Sequence, residues 1–182
     1  MAPRERLVAT NSGRRDFRQN KRDGRRSIPG SVAALIGFVG LCLLVGAAGG
    51  VLTVDAVRQW YPSLTAPPLT PPSWVFAPVW TMLYIMIGVS AWLVWLRPGG
   101  LPALRLWGWQ LAANAVWPAV FFGMRNPALG LPVIALMLLL TGMTIRAFQP
   151  RSLPAALLLL PYLAWSLFAT YLNIGFWWLN RS

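Results

Sequence analysis

Five long apolar stretches, separated by short polar or proline- and glycine-rich links, fill almost all of the chain after residue 30. They cover residues 31–54, 74–96, 103–124, 128–147 and 153–179. Each approaches the roughly 20 residues that a helix needs to cross the hydrocarbon core of a bilayer. The pattern therefore predicts an all-α, polytopic membrane protein, with a bundle of five transmembrane helices over residues 30–182.

Turn-forming residues mark the links between these stretches. Pro98-Gly99-Gly100, Asn126-Pro127 and Gln149-Pro150 form short links, so neighbouring helices are expected to be antiparallel. The link over residues 55–73 is longer and contains five prolines, and we predict that it is not helical.

Basic residues are concentrated at the N-terminus. Residues 1–29 hold nine of the sixteen Lys and Arg residues against three acidic ones and show no hydrophobic periodicity, which predicts a disordered tail. Whether it is a retained cytoplasmic tail or a cleaved leader stays open. With the N-terminus in the cytoplasm, thirteen of the sixteen basic residues lie inside, which favours a bacterial-type cell membrane. The net charge of +12 comes from basic residues that are distributed in this way, so it does not indicate nucleic-acid binding.

The composition leaves little material for catalysis or metal binding. The chain has no His, a single cysteine (Cys42) and four acidic residues, three of them in the tail. A Ser–His pair, an intrachain disulfide and a His-ligated metal are excluded, and a carboxylate pair is disfavoured. We therefore predict no catalytic residues, no metal site and no required cofactor.

One face of the third stretch carries amides and aromatic rings. At helical spacing, Gln110, Asn114, Trp117 and Phe121 share one side. This face is expected to point into the bundle, because an amide facing lipid would lack hydrogen-bond partners. The two amides either bind a ligand or only hold helices together.

Two other stretches carry similar aromatic faces. Trp80 and Tyr84 share a face of the second, and Tyr162, Trp165 and Ala169 share a face of the fifth. Either stripe alone is typical of packing, but three such helices together favour a pocket for a flat hydrophobic molecule.

The other side of the third stretch carries only small residues. Such a stripe permits close helix approach and predicts a homodimer interface. It consists of Gly108, Ala112, Ala115, Ala119 and Gly123.

Three segments in order, WYPSLTAPPLTPPSWVFAPVWTMLY, WQLAANAVWPAVFFG and PYLAWSLFATYLN, resemble the TspO/MBR family of translocator proteins. The resemblance implies a five-helix bundle, usually dimeric, that binds porphyrins and, in some members, sterols or synthetic ligands. It implies pocket walls formed by the residues on the three faces, with Trp60 and Tyr61 in a covering loop. The implied ligand-binding set is Trp60, Tyr61, Trp80, Tyr84, Gln110, Asn114, Trp117, Phe121, Trp165 and Ala169.

Two departures from the family pattern lie in the covering loop, where Ala66 and Leu69 replace a Lys and a Trp. A further departure concerns sterols, because Arg181 lies too far beyond Tyr171 to complete a cholesterol-type motif.

The sequence thus favours a membrane receptor or carrier that binds a tetrapyrrole, either protoporphyrin IX or haem, with a role in its transport, sensing or regulation. The alternatives are light-dependent porphyrin degradation and a structural or regulatory membrane dimer. The natural ligand and the membrane stay open.

Overall fold

Helices and the turns between them make up the part of the chain that the computed structural model describes, residues 28–181. Helix α1 spans Ile28–Asp55, α2 spans Phe76–Trp95, α3 spans Leu101–Pro118 and α4 spans Pro127–Phe148. Helix α5 comprises two segments, Leu153–Leu158 and Leu160–Leu179. No strand occurs within residues 28–181, and the prediction of an all-α, five-helix protein is confirmed. The predicted tail lies outside the described residues, except for its last two residues, which begin α1.

Prolines and side-chain caps set where these helices begin and end. Pro161 has no N–H and its ring would clash with the carbonyl of Leu157, which accounts for the break in α5 at Leu159. Asn126 caps α4, because its Oδ1 accepts a hydrogen bond from the backbone N–H of Leu129 at 3.0 Å.

The link after α1 departs from the sequence expectation. We predicted that residues 55–73 are not helical, and this is wrong for the first half. A π-helical turn, Ala56–Trp60, and a 3₁₀ turn, Tyr61–Ser63, continue from α1. The first proline of the link is Pro62, so nothing interrupts the helix before it, whereas the proline-rich remainder, residues 64–72, contains no helix.

Hydrogen bonds hold that proline-rich segment against the end of α5. The Thr65 N–H donates to Asn180 Oδ1 at 2.8 Å, and Asn180 Nδ2 donates to the Thr65 carbonyl at 3.0 Å. The Tyr171 hydroxyl donates to the Pro68 carbonyl at 2.9 Å. The segment is therefore tied to α5 at two points.

The helices from α3 onward pack more closely than α1 does. Helix α4 packs along both α3 and the long segment of α5, and α2 packs against the short segment of α5. Helix α1 approaches α2 closely at Gly88, where an added Cβ would lie 2.7 Å from the Val39 Cα. Residues from Ala34 onward form one compact unit.

The outer surface of the bundle is apolar. Four helical segments, residues 29–63, 73–95, 127–148 and 153–179, are long and apolar enough to cross a membrane. Helix α3 is more polar because it carries Arg105, Gln110 and Asn114, of which the two amides are buried. Large aliphatic side chains, including Leu44, Leu139 and Leu167, are exposed on other helices, as lipid contact requires.

The turn Pro67–Thr70 gives a test of stability. The Thr70 N–H donates to the Pro67 carbonyl at 3.4 Å, and Leu69 at the third position has a φ of 64°. This left-handed conformation costs a leucine about 1–2 kcal/mol, whereas asparagine tolerates it. We expect Leu69→Asn to raise the melting temperature of the detergent-purified protein by about 2–4 °C. Leu64→Asn, at a φ of −80°, is the control and should lower the melting temperature; a lower value for Leu69→Asn would contradict the prediction.

Candidate functional site

A cavity of about 590 Å³ lies between α1, α2, α3 and α5 and extends to the turns that follow α1. Its lining is mostly aromatic and small apolar, and none of the lining residues is charged. The aromatic lining residues are Tyr61, Phe76, Trp80, Tyr84, Trp117, Phe121, Phe122, Trp165 and Phe176. A cavity of this size and polarity is typical of sites for small hydrophobic molecules.

Eight of the ten residues that the sequence predicts for ligand binding line this cavity. They are Tyr61, Trp80, Tyr84, Asn114, Trp117, Phe121, Trp165 and Ala169. Trp60 does not line it and instead packs edge-to-face against Phe121, with ring centroids 5.9 Å apart. Gln110 does not line it either and is fully buried one helical turn away from Asn114.

The wall that α1 contributes is absent from the sequence prediction. It consists largely of small residues, including Gly46, Ala47, Gly49 and Gly50. Such residues leave space, and they carry neither an aromatic ring nor an amide that marks a binding face. The Gly46–Gly50 spacing is the only signal in the sequence, and it is weak because glycine is common in membrane helices.

The amide of Asn114 joins three helices beside the cavity. The Tyr84 hydroxyl of α2 donates to Asn114 Oδ1 at 2.6 Å, and Asn114 Nδ2 donates to the Tyr162 hydroxyl of α5 at 2.9 Å. All three residues are buried. Because an amide has two donor hydrogens and two acceptor lone pairs, these two bonds leave one of each unused on Asn114, which lines the cavity.

A second amide fixes the orientation of Trp117. The Trp117 indole N–H donates to Asn173 Oδ1 at 3.1 Å, and Asn173 Nδ2 donates to the Pro127 carbonyl at 2.7 Å. The Trp117 ring stacks on Phe121, with centroids 5.2 Å apart and planes 27° apart. The two aromatic rings therefore present a rigid surface on the α3 side.

Departures from α-helical geometry position two parts of the lining. Pro118 ends α3, and a π-helical turn, Ala119–Gly123, carries Phe121 and Phe122 into the cavity wall. The π-helical turn that follows α1 contributes Val57. Because proline removes a backbone N–H, it favours such a local change of helical pitch.

Three buried side chains have polar atoms without a hydrogen-bond partner among the described residues: Gln110, Trp165 and Ser166. Leaving such a group unsatisfied costs about 1–3 kcal/mol. Trp165 lines the cavity with other atoms of its side chain, whereas its indole nitrogen is itself buried.

The described residues contain no group of three or more His, Cys, Asp or Glu side chains that could hold a metal ion. What the cavity offers a ligand is aromatic surface and a few neutral hydrogen-bonding groups.

The predicted dimer stripe lies on the side of α3 away from the buried amides. Ala112 and Gly123 are exposed, and the other three members are partly exposed. A Cβ added at Gly108 or Gly123 would meet no atom within 4 Å. Within residues 28–181, no atom of another helix lies close to the two ends of the stripe, Gly108 and Gly123.

The chain is similar to proteins of one family over most of its length. Residues 38–179 match the TspO/MBR family. The tryptophan-rich protein TspO of Chlorobaculum tepidum is 42% identical over 146 residues, which cover 78% of this chain and 92% of the relative. The translocator protein of Ovis aries is 40% identical over 150 residues, covering 76% and 88% of the two chains. The tryptophan-rich sensory protein of Cereibacter sphaeroides is 37% identical over 141 residues, covering 78% and 87%.

Gly46 and Gly50 provide a matched pair of variants for the cavity wall. A Cβ at Gly46 would lie 2.6 Å from Tyr84 Cδ2, whereas a Cβ at Gly50 would meet nothing within 4 Å. Tyr84 is buried and hydrogen-bonded to Asn114, so its ring has little freedom to move away. We expect Gly46→Ala to destabilise the protein by about 1–3 kcal/mol.

Gly50→Ala should leave stability unchanged or raise it by up to about 1 kcal/mol, because alanine favours helix. Thermal melting of both purified variants measures the difference. Equal changes in the two melting temperatures would show that Tyr84 does not pack tightly against α1.

Proposed function

The chain belongs to the TspO/MBR family, and we propose that it is a membrane receptor or sensor that binds a tetrapyrrole such as protoporphyrin IX between α1, α2, α3 and α5. The observation that carries this proposal is an uncharged cavity with aromatic walls inside an apolar helical bundle. The protein is an integral membrane protein, so a hydrophobic ligand can reach it from the lipid phase.

The aromatic walls suit a flat conjugated ring. Trp80, Trp165 and the stacked pair of Trp117 and Phe121 come from three different helices and surround one space. Aromatic side chains interact with planar π systems by offset stacking or edge-to-face contact, beyond the area that they bury. A flat tetrapyrrole uses these contacts better than a flexible aliphatic chain does.

The Asn114 amide would orient the ring, because its two hydrogen bonds leave one N–H and one oxygen lone pair unused. Because no lining residue is charged, the carboxylates of a porphyrin would extend out of the cavity rather than into it.

The sequence contains no His, so haem would lack the commonest axial ligand. The proposal is therefore for binding through the ring face, with the metal-free porphyrin or weakly held haem as ligand.

The distribution of basic residues supports a cytoplasmic N-terminus in a bacterial-type membrane. Thirteen of the sixteen Lys and Arg residues lie on the inner side in this orientation.

Ala169 gives the sharpest test of the cavity. It is buried and lines the cavity, whereas Ala164 is exposed on the same helix. We expect Ala169→Leu to weaken protoporphyrin IX binding at least about tenfold, or 1.4 kcal/mol, because the larger side chain occupies the ligand's space. Quenching of tryptophan fluorescence on titration measures the affinity, and Ala164→Leu should bind as the unmodified protein does.

Saturable quenching that weakens only in Ala169→Leu would support the site. Quenching that does not saturate and is equal in all three proteins would mean that the porphyrin only partitions into the micelle, and would overturn the proposal.

We also propose that the protein forms a homodimer through the small-residue stripe on α3. The described residues cover the stripe only in part, since Ala112 and Gly123 are exposed, and Trp109 beside it is 68% exposed. Small residues let two backbones approach closely, which is how membrane helices gain packing energy.

A bulky side chain in the stripe should prevent this association. We expect Ala115→Leu to convert the purified protein to a monomer, as measured by light scattering with correction for bound detergent. Ala135→Leu, at an exposed position of α4, is the control and should not change the molar mass. A dimer that persists in Ala115→Leu would place the interface elsewhere.

A further inference from the structure

The cavity is open along one side of the bundle. The lining residues that α3, its π-helical turn and α5 contribute are all buried or partly buried. The exposed lining residues belong to α1, to α2 or to the turn that precedes α2, and they are Ala47, Gly50, Val54, Ser73, Ala77 and Thr81. The opening therefore lies between α1 and α2.

The exposed residues on each side of the opening share one face. On α1, Ala47, Gly50 and Val54 are three and four residues apart, and those on the α2 side recur every four residues. None of these side chains is larger than that of valine, so the opening is not blocked. The Thr81 hydroxyl donates to the Ala77 carbonyl at 2.8 Å and needs no partner in the opening.

One arginine continues the α1 side of the opening. Arg58 follows Val54 by four residues, within the π-helical turn Ala56–Trp60. This spacing keeps it on the face of α1 that carries the exposed lining residues. Val57 before it and Tyr61 after it line the cavity, whereas Arg58 itself is exposed. Arg58 therefore lies at the end of the opening, beyond the C-terminus of α1.

The Arg58 guanidinium is not engaged by the protein. Among residues 28–181 it forms neither a hydrogen bond nor an ion pair, and the exposed Asp55, three residues earlier, does not pair with it. Other arginines are occupied: Arg151 donates to two backbone carbonyls, and Arg181 lies over the Trp178 ring at 3.4 Å. Arg58 is thus a free cation beside the opening.

An acidic porphyrin has groups that suit this cation. Its carboxylates cannot be buried cheaply against the uncharged lining, but the opening lets them stay outside while the ring lies between the aromatic walls. A guanidinium offers paired N–H donors that match the two oxygens of a carboxylate.

We propose that Arg58 binds a carboxylate of the ligand at the end of the opening between α1 and α2. The inference rests on the proposed function, because it concerns the acidic groups of the tetrapyrrole in the cavity. It makes Arg58 the residue that favours porphyrins with free carboxylates over their neutral esters.

Two forms of one porphyrin test this role. Protoporphyrin IX and its dimethyl ester share the same ring, but only the first has free carboxylates. We expect Arg58→Gln to weaken binding of the acid about twofold to fivefold, as for one exposed ion pair, and to leave binding of the ester unchanged. Quenching of tryptophan fluorescence in a neutral detergent at low salt measures both affinities.

Arg125→Gln is the matched control. Arg125 is exposed at the same end of the bundle but does not line the cavity or flank its opening, so this variant should bind both porphyrins as the unmodified protein does. A change of opposite sign is expected at Asp55, because Asp55→Asn removes a negative charge near Arg58 and should strengthen binding of the acid alone. Added salt should weaken binding of the acid in the unmodified protein and have less effect in Arg58→Gln.

The ester separates failure of this inference from failure of the proposed function. Equal weakening of acid and ester in Arg58→Gln, or no change in either, would overturn the role of Arg58, while saturable binding of the ester would still support the cavity as a porphyrin site. Quenching of the unmodified protein that saturates with neither porphyrin would overturn the proposed function, and the role of Arg58 with it.

Discussion

The buried amide of Asn114 is the contact on which the bundle around the cavity depends. Through Tyr84 and Tyr162 it connects α2, α3 and α5 within a mostly apolar interior. Hydrophobic association does not distinguish one packing of membrane helices from another, because lipid tails are as apolar as leucine. Directional hydrogen bonds do, so this linkage sets both the arrangement of the three helices and the polar side of the cavity.

Helix α3 organises the molecule because its two sides differ in chemistry. One side carries Asn114 and Trp117, which hydrogen-bond to α2 and α5, and the other carries small residues, of which Ala112 and Gly123 are exposed. Together with α4 and α5 it forms the closely packed part of the protein. Helix α1 closes the cavity from the opposite side with glycine and alanine and with Leu43, Thr53 and Val54, whereas Ile36, Leu44 and Leu52 are exposed on its outer face.

The cavity therefore lies between a wall on α2, α3 and α5, whose side chains are hydrogen-bonded to one another, and a wall of mostly small residues on α1. The first wall carries rings whose positions are fixed, as Trp117 is by Asn173. The second supplies space without specific contacts. A flat hydrophobic ligand that stacks on the aromatic wall and lies against the small residues of α1 suits this arrangement. Selectivity would come from the shape of the ligand ring and from hydrogen bonds near Asn114.

The sequence by itself determined the number of helices and which faces of three of them carry rings and amides. Apolar length and prolines define the helices, and helical spacing places Trp80 with Tyr84 and Asn114 with Trp117 on one side.

Only the tertiary structure decided which of these side chains reach the cavity. Gln110 and Asn114 have similar side chains one turn apart on the same face, yet only Asn114 lines it. Periodicity gives the angle of a side chain around its own helix axis, whereas access depends on which neighbouring helix covers that position. For the same reason, the sequence did not reveal the cavity wall on α1. Small residues line a cavity only where the neighbouring helices leave space beside them.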